Sequence, residues 1–296
     1  MRISLGANPY YWSMEDVAAF YEQVQDWPVD IVYLGETVCS KRRPYGLDGW
    51  IDLARMLAAK GKEVVLSTLT LIEARSEVGT VKRLVENGEF MVEASDMAAV
   101  QLAAERGLPF ATGPSVNIYN AQTLATLQRA GLQRWVAPTE LPRDGLAALL
   151  EEAEKLNIPA VETEIFAYGR IPLAYSARCF TARAHNLPKD QCEFRCQDYP
   201  EGLPVQSQED QGFVQINGIQ LQSGERYNLL SQWPEMQAMG VNVMRISPQP
   251  IGTGEVIAAL RGMLDQGRTE APAEFGGVNG YWFAQPGMDT VPAAEA

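Results

Sequence analysis

Short apolar runs, each followed by a stretch of helical periodicity, recur along most of this 296-residue chain. They lie at residues 2–5, 30–34, 63–67, 90–93, 109–112, 134–137 and 160–164. The intervals of roughly 25–30 residues match the βα units of a parallel sheet. Helices are expected near 13–25, 50–60, 78–86, 97–106, 121–130 and 143–156. The first opens on Ser13-x-x-Asp16, a capping box with Asp in the place of Glu. Gly61, Gly107 and Gly131 stand where helix C-terminal caps are expected. The pattern breaks over about 165–233, a polar stretch with a hairpin signal: 213–216, the turn dipeptide Asn217-Gly218, then 219–221. A helix at 234–239, an eighth strand at 241–246 and a helix at 254–264 follow. The segment 269–296 is rich in Gly, Pro and Ala, and its end is expected to be loose.

Eight strands, each followed by a helix, predict a TIM-like (βα)8 barrel: a single α/β domain over 1–268 with a Cys-rich insertion after strand seven, then a C-terminal tail over 269–296. An open doubly wound sheet shares this periodicity. No GxGxxG follows the first strand, so a dinucleotide-binding unit has no support.

Three of the four cysteines, Cys179, Cys192 and Cys196, fall in the insertion with the spacing Cys-x12-Cys-x3-Cys. Cys39 follows strand two. In a barrel both segments leave the C-terminal ends of their strands, where functional loops gather, so Cys39 can meet the other three on one face. A lone cysteine is more often a small buried hydrophobe than a ligand. Three in one polar, proline-containing segment have little core to occupy, and ligation is the better reading. Structural zinc sites usually show two close Cys pairs, whereas Cys192 and Cys196 form only one. One distant cysteine plus a loose trio suits a cluster, whose irons splay the thiolates over a wider span. The single histidine, His185, lies among the cysteines and is read as a solvated loop residue.

With one histidine, a Ser-His-Asp or Cys-His arrangement would have to use His185. No Gly-x-Ser-x-Gly, His-Glu-x-x-His or P-loop is present. Glu36, Glu93, Glu140 and Glu164, at strand ends, are candidates to line the barrel mouth, with pairing to nearby arginines as the plain alternative. The formal net charge of −13 disfavours nucleic acid and anionic membranes as partners, because the only basic run is Lys41-Arg42-Arg43. The N-terminus lacks the apolar region of a signal peptide, and no run of about 18 apolar residues is present. A cytoplasmic, reducing location is expected, which argues against disulfides.

Residues 35–43 (GlyGluThrValCysSerLysArgArg), 117–120 (AsnIleTyrAsn) and the Cys-x12-Cys-x3-Cys run resemble the ubiquinone-biosynthesis branch of the collagenase-like peptidase superfamily, the U-thirty-two type. The resemblance extends to Gly280-Tyr281-Trp282, after which Phe283 stands where a polar residue is expected. It implies a 4Fe–4S cluster held by Cys39, Cys179, Cys192 and Cys196. It further implies a subunit required for O2-independent hydroxylation of a prenylated quinone precursor. The implied partners are a UbiU-like iron–sulfur protein, as a heterodimer, and a UbiT-like lipid carrier. Proteolysis is not expected of this branch. A peptidase, an RNA hydroxylation protein and a non-catalytic partner with a structural cluster are the alternatives.

Overall fold

The computed structural model describes residues 1–210 and 212–292. Seven βα units come first: β1 (Arg2–Leu5) and α1 (Met14–Val24); β2 (Ile31–Leu34) and α2 (Leu47–Ala59); β3 (Glu63–Ser67) and α3 (Arg75–Val85); β4 (Met91–Ala94) and α4 (Met97–Ala104); β5 (Phe110–Thr112) and α5 (Ala121–Arg129); β6 (Leu132–Val136) and α6 (Arg143–Lys155); then β7 (Glu162–Tyr175) and the short α7 (Phe180–Ala184). After α7 come β8 (Leu203–Gln206), β9 (Gly212–Asn217), β10 (Gln220–Asn228), α8 (Trp233–Ala238), β11 (Val243–Ile246) and α9 (Thr253–Gln266). Strands β1 to β7 pair in order, all parallel, and β11 pairs in parallel with both β1 and β7. The sheet closes on itself, so the chain is a TIM-like (βα)8 barrel and not an open sheet.

The expected elements match the observed ones to within a few residues, with informative exceptions. Ser13 caps α1 by accepting the Asp16 N–H at 3.0 Å, but the Asp16 carboxylate takes the Ser13 hydroxyl. The reciprocal half of a capping box needs a longer side chain that can reach the backbone N–H. The hairpin turn lies one residue later than the Asn-Gly signal, at Gly218-Ile219, and Asn217 is the last residue of β9.

Strand β7 does not stop at the barrel rim. Its first half pairs with β6 and β11, and its second half runs on to pair antiparallel with β10. The ribbon β7–β10–β9–β8 therefore rises from the barrel's C-terminal face. Gly169, at φ +126°, sits where it leaves: a Cβ there would lie 2.6 Å from the Ser247 Cβ, so only glycine fits. Residues 269–292 pack back on the barrel, with Val278 bridged to Tyr227 and Trp282 buried. The Trp282 indole donates to Glu235 at 2.9 Å, and Arg143 lies over the Phe283 ring at 4.7 Å. The departure at Phe283 thus supplies a cation–π face. Among the described residues, no helix is long and apolar enough to cross a membrane.

The main apolar core lies between the strands and the helices. The barrel interior has only a small apolar layer, Ile31, Tyr33, Val65 and Val243. Around it the inward side chains are charged. Arg245 donates to Glu164 at 2.6 Å and to Glu93 at 2.7 Å, and its guanidinium lies 4.0 Å from the centre of the Tyr33 ring. Glu164 also accepts from Ser4 at 2.5 Å and from the Tyr33 hydroxyl at 2.6 Å. At the N-terminal end of the barrel, Arg134 donates to Glu63 and Glu162.

Burial alone would raise the Glu164 carboxyl, but Arg245 and Arg134 outweigh it and hold the group below the ordinary carboxylate range. A depressed carboxyl stabilises the fold above its unfolded pKa and loses that contribution as pH falls through the depressed value. Glu164→Gln should therefore cost about 3–5 kcal/mol at pH 7, because Arg245 keeps its burial and loses a partner. In urea unfolding, the gap from wild type should narrow below the ordinary value of 4.5. A gap that stays constant down to pH 3.5 would contradict this account.

Candidate functional site

The loop after β2 and the segment between β7 and β8 meet above the C-terminal end of the barrel. Cys39 and Arg42 lie on the first; Cys179, at the N-cap of α7, and Cys192 and Cys196 lie on the second. None is in a disulfide, and all four are partly buried. Arg42 ties the two segments together. It is 2% exposed, although it belongs to what reads as a basic surface run. It donates to the Pro9 carbonyl and to Asn217 Oδ1, each at 2.8 Å, and its charge acts on the Cys196 sulfur. Gly218, at φ +67°, passes close above it: a Cβ would stand 2.6 Å from Arg42 Nη2. The Asn217 position is thus taken by a polar contact with the buried arginine, which explains why the turn moved one residue on.

Backbone groups organise the thiols further. The Cys179 sulfur accepts the Ala182 N–H at 3.4 Å. The Glu36 carboxylate accepts the N–H groups of Val38 and Cys39 at 2.8 and 2.9 Å, fixing the turn that presents Cys39. Lys41 donates to the Lys189 carbonyl at 2.8 Å, a second tie between the segments. Glu193 and Phe194, between Cys192 and Cys196, both adopt left-handed backbone, and the Phe194 ring packs 5.6 Å from that of Tyr11. Such conformations cost energy in non-glycine residues and persist where the surroundings impose them.

The electrostatics bring Cys39, Cys179 and Cys196 into one neighbourhood. Burial pushes the Cys39 and Cys196 thiols up, Arg42 opposes the rise at both, and each feels Cys179. Burial also lifts the Glu36 carboxyl to about 7, against the pull of Arg42 and its two N–H donors. Among the described residues, no comparable interaction ties Cys192 to the other three. His185 does not join them through its Nε2, which contacts the Tyr199 hydroxyl at 2.9 Å.

Among the described residues, no group of three or more His, Cys, Asp or Glu side chains stands at the spacing of a single metal ion. The donor chemistry suits a wider, thiolate-held group: soft sulfur donors, N–H···S bonds and a buried guanidinium to offset negative charge.

The strand-end carboxylates divide. Glu93 lines a deep cavity of about 70 Å3 inside the barrel mouth, where it is ion-paired to Arg245. Glu140 lines a wide outer cavity of about 860 Å3 and accepts the Tyr119 hydroxyl. Glu164 is fully buried below the mouth, and Glu36 serves the cysteine turn. Pairing with arginine, the plain alternative, holds for Glu93 and Glu164. Two functional candidates escaped the sequence, Arg42 and Arg245. Arg42 lies inside the 35–43 motif, which was the available signal; Arg245 had none beyond a charge in an apolar strand.

The Peptidase family U32 model matches residues 12–273, and the chain belongs to that family. A curated relative, the tRNA hydroxylation protein P of Escherichia coli (strain K12), is 29% identical over 160 residues. That match covers 51% of this chain and 34% of the relative, so the chain spans about a third of that protein's length. The solved U32 peptidase Mk0906 is 11% identical with a TM-score of 0.43, over 84% of this chain and 93% of the other. A putative dihydrodipicolinate synthetase from Pseudomonas aeruginosa is 10% identical with a TM-score of 0.48, over 90% of this chain and 77% of the other.

Arg42 favours the Cys196 thiolate, so removing it should raise that thiol further. In metal-free, reduced protein, Arg42→Gln should slow alkylation of Cys196 at pH 8 by about three- to tenfold, the effect of half to one unit of thiol pKa. Site-resolved mass spectrometry reads the rate, and an unchanged or faster reaction would count against the role given to Arg42.

Proposed function

We propose that this chain is a UbiV-type protein: an iron–sulfur subunit required for O2-independent hydroxylation in anaerobic ubiquinone biosynthesis, acting as a heterodimer with a UbiU-like partner. One observation carries the reading. Cys39 approaches Cys179 and Cys196 from a distant part of the chain, around a buried arginine. Family membership and a relative named for hydroxylation support a hydroxylation-related role. The residues that would hold the 4Fe–4S cluster are Cys39, Cys179, Cys192 and Cys196. When bound, such a cluster supplies one-electron redox capacity. The chain's own residues hold the thiols, offset their charge through Arg42, and wall off the cavity with Pro9, Thr37 and Tyr175. A UbiT-like carrier would deliver the prenylated quinone precursor.

A second reading, RNA hydroxylation, is favoured by the Escherichia coli relative. The net charge of −13 weighs against it, because phosphate binding needs clustered cations. Proteolysis draws no support from the site, where Nε2 of the single histidine faces a tyrosine hydroxyl.

Protein purified without oxygen should be brown and carry about four irons and four sulfides per chain. Cys→Ala at each of the four positions should abolish the colour. Variants lacking the cluster but still folded, with the partner present, should fail to support ubiquinone formation under anoxia. A colourless protein with one tightly bound zinc, or a full cluster after Cys39→Ala, would defeat the assignment.

A further inference from the structure

Three arginines are buried among the described residues: Arg42, Arg134 and Arg245, at 2%, 3% and 6% exposure. A buried guanidinium is costly unless a counter-charge meets it. Arg134 pairs with Glu63 and Glu162, and Arg245 with Glu93 and Glu164. Arg42 differs from both. It makes no ion pair among the described residues, and its guanidinium donates to two neutral acceptors, the Pro9 carbonyl and Asn217 Oδ1. Glu36 acts on it from beyond ion-pair distance. Burial lifts that carboxyl to about 7, which takes away part of its charge at neutral pH.

The rest of its surroundings are aromatic and sulfur. The centre of the Tyr11 ring lies 5.8 Å from the guanidinium carbon, and Gly218 closes over Nη2. Cys39 and Cys196, from distant segments, both act on the same guanidinium. The Cys39 carbonyl accepts the Arg42 backbone N–H at 2.9 Å, so one turn carries both the thiol and the cation. Neutral thiols leave a guanidinium unbalanced, whereas thiolates meet it. The counter-charge that Arg134 and Arg245 draw from carboxylates must come to Arg42 from sulfur.

We propose that Arg42 is the fixed counter-ion of an anionic, thiolate-held group shared by the loop after β2 and the cysteine segment. Its charge is balanced only when a bound group keeps Cys39 and Cys196 as thiolates. This deepens the reading given under Proposed function, and it rests on that reading for the nature of the group. Arg42 is thus a positioning residue, which holds a site for negative charge between two segments. A thiolate-held cluster becomes more negative when it takes up an electron, and nearby charge sets its potential. A fixed cation beside it favours the reduced form.

Two measurements on the full chain test this, each on wild type, Arg42→Gln and Arg42→Lys. The first uses metal-free, reduced protein and needs no cluster. Cys196 is alkylated with iodoacetate, an anion, and separately with iodoacetamide, which is neutral, and the ratio of the two rates cancels the reactivity of the thiol itself. Attraction of the anion by Arg42 should make that ratio about three- to tenfold higher in wild type than in Arg42→Gln, and Arg42→Lys should restore it. The second is a dithionite titration of the cluster-loaded protein under anoxia, followed by electron paramagnetic resonance. Arg42→Gln should shift the one-electron equilibrium toward the oxidised form by about tenfold, about 59 mV, and Arg42→Lys should recover most of the shift. A purely structural arginine would leave the rate ratio unmoved and would not be rescued by lysine. An unchanged rate ratio, or a lysine variant no better than glutamine, would overturn the proposal. Iron and sulfide analysis separates the two readings. A charge-dependent ratio in a chain that loads no iron keeps the counter-ion and removes the cluster. A full cluster whose potential ignores Arg42→Gln keeps the cluster and removes the counter-ion.

Discussion

The charged interior of the barrel is the constraint on which the rest depends. A guanidinium buried among strands is tolerable only where carboxylates meet it, and Arg245 meets Glu93 and Glu164 at once. It lies on β11, the strand that closes the sheet between β1 and β7. Side chains alternate faces along a strand, so a slip of one residue would turn Arg245 out toward the helices and leave both carboxylates unpaired. The ion pairs therefore specify the register at which the barrel shuts. They engage two of the three guanidinium nitrogens.

The second constraint is the length of β7. Fourteen residues are more than a barrel of three- to five-residue strands can use. The surplus carries the chain past the rim at Gly169 and builds a ribbon whose tip, Asn217-Gly218, closes over Arg42. The cysteine segment springs from the end of that strand. Its position against Cys39 is set by the ribbon, by Arg42 and by Lys41, and not by packing of an apolar core. A polar segment can be held this way because each tie is a hydrogen bond to a buried or backbone group.

The architecture was legible because βα periodicity is a local signal, repeated seven times before it breaks. Boundaries near β7 were less so: residues 165–175 read as the start of a polar insertion, and tertiary pairing with β10 keeps them extended. That the loops after strands two and seven share a face followed from topology alone. Arg42 and Arg245 were not legible, because sequence gives charge without burial. A basic triplet reads as solvated surface until one member is found beneath a hairpin. A strand arginine reads as an edge residue until its carboxylates, about 80 and 150 positions away in sequence, are seen to converge on it.

The thiol group and the mouth cavity are neighbours through shared walls. Pro9 lines the deep cavity while its carbonyl accepts from Arg42. Gln220 lines it too, accepts from Asn217, and donates to the Tyr175 hydroxyl at 2.7 Å. Tyr175 in turn feels both Glu93, inside the mouth, and Glu36, beside Cys39. A change of charge at the sulfurs would act on Arg42 first, and through Asn217 and Gln220 on the tyrosine that walls the cavity. Each step is a hydrogen bond within a buried network, where the low local dielectric leaves little screening. The arrangement joins the thiol neighbourhood to the mouth through side-chain hydrogen bonds and one backbone carbonyl.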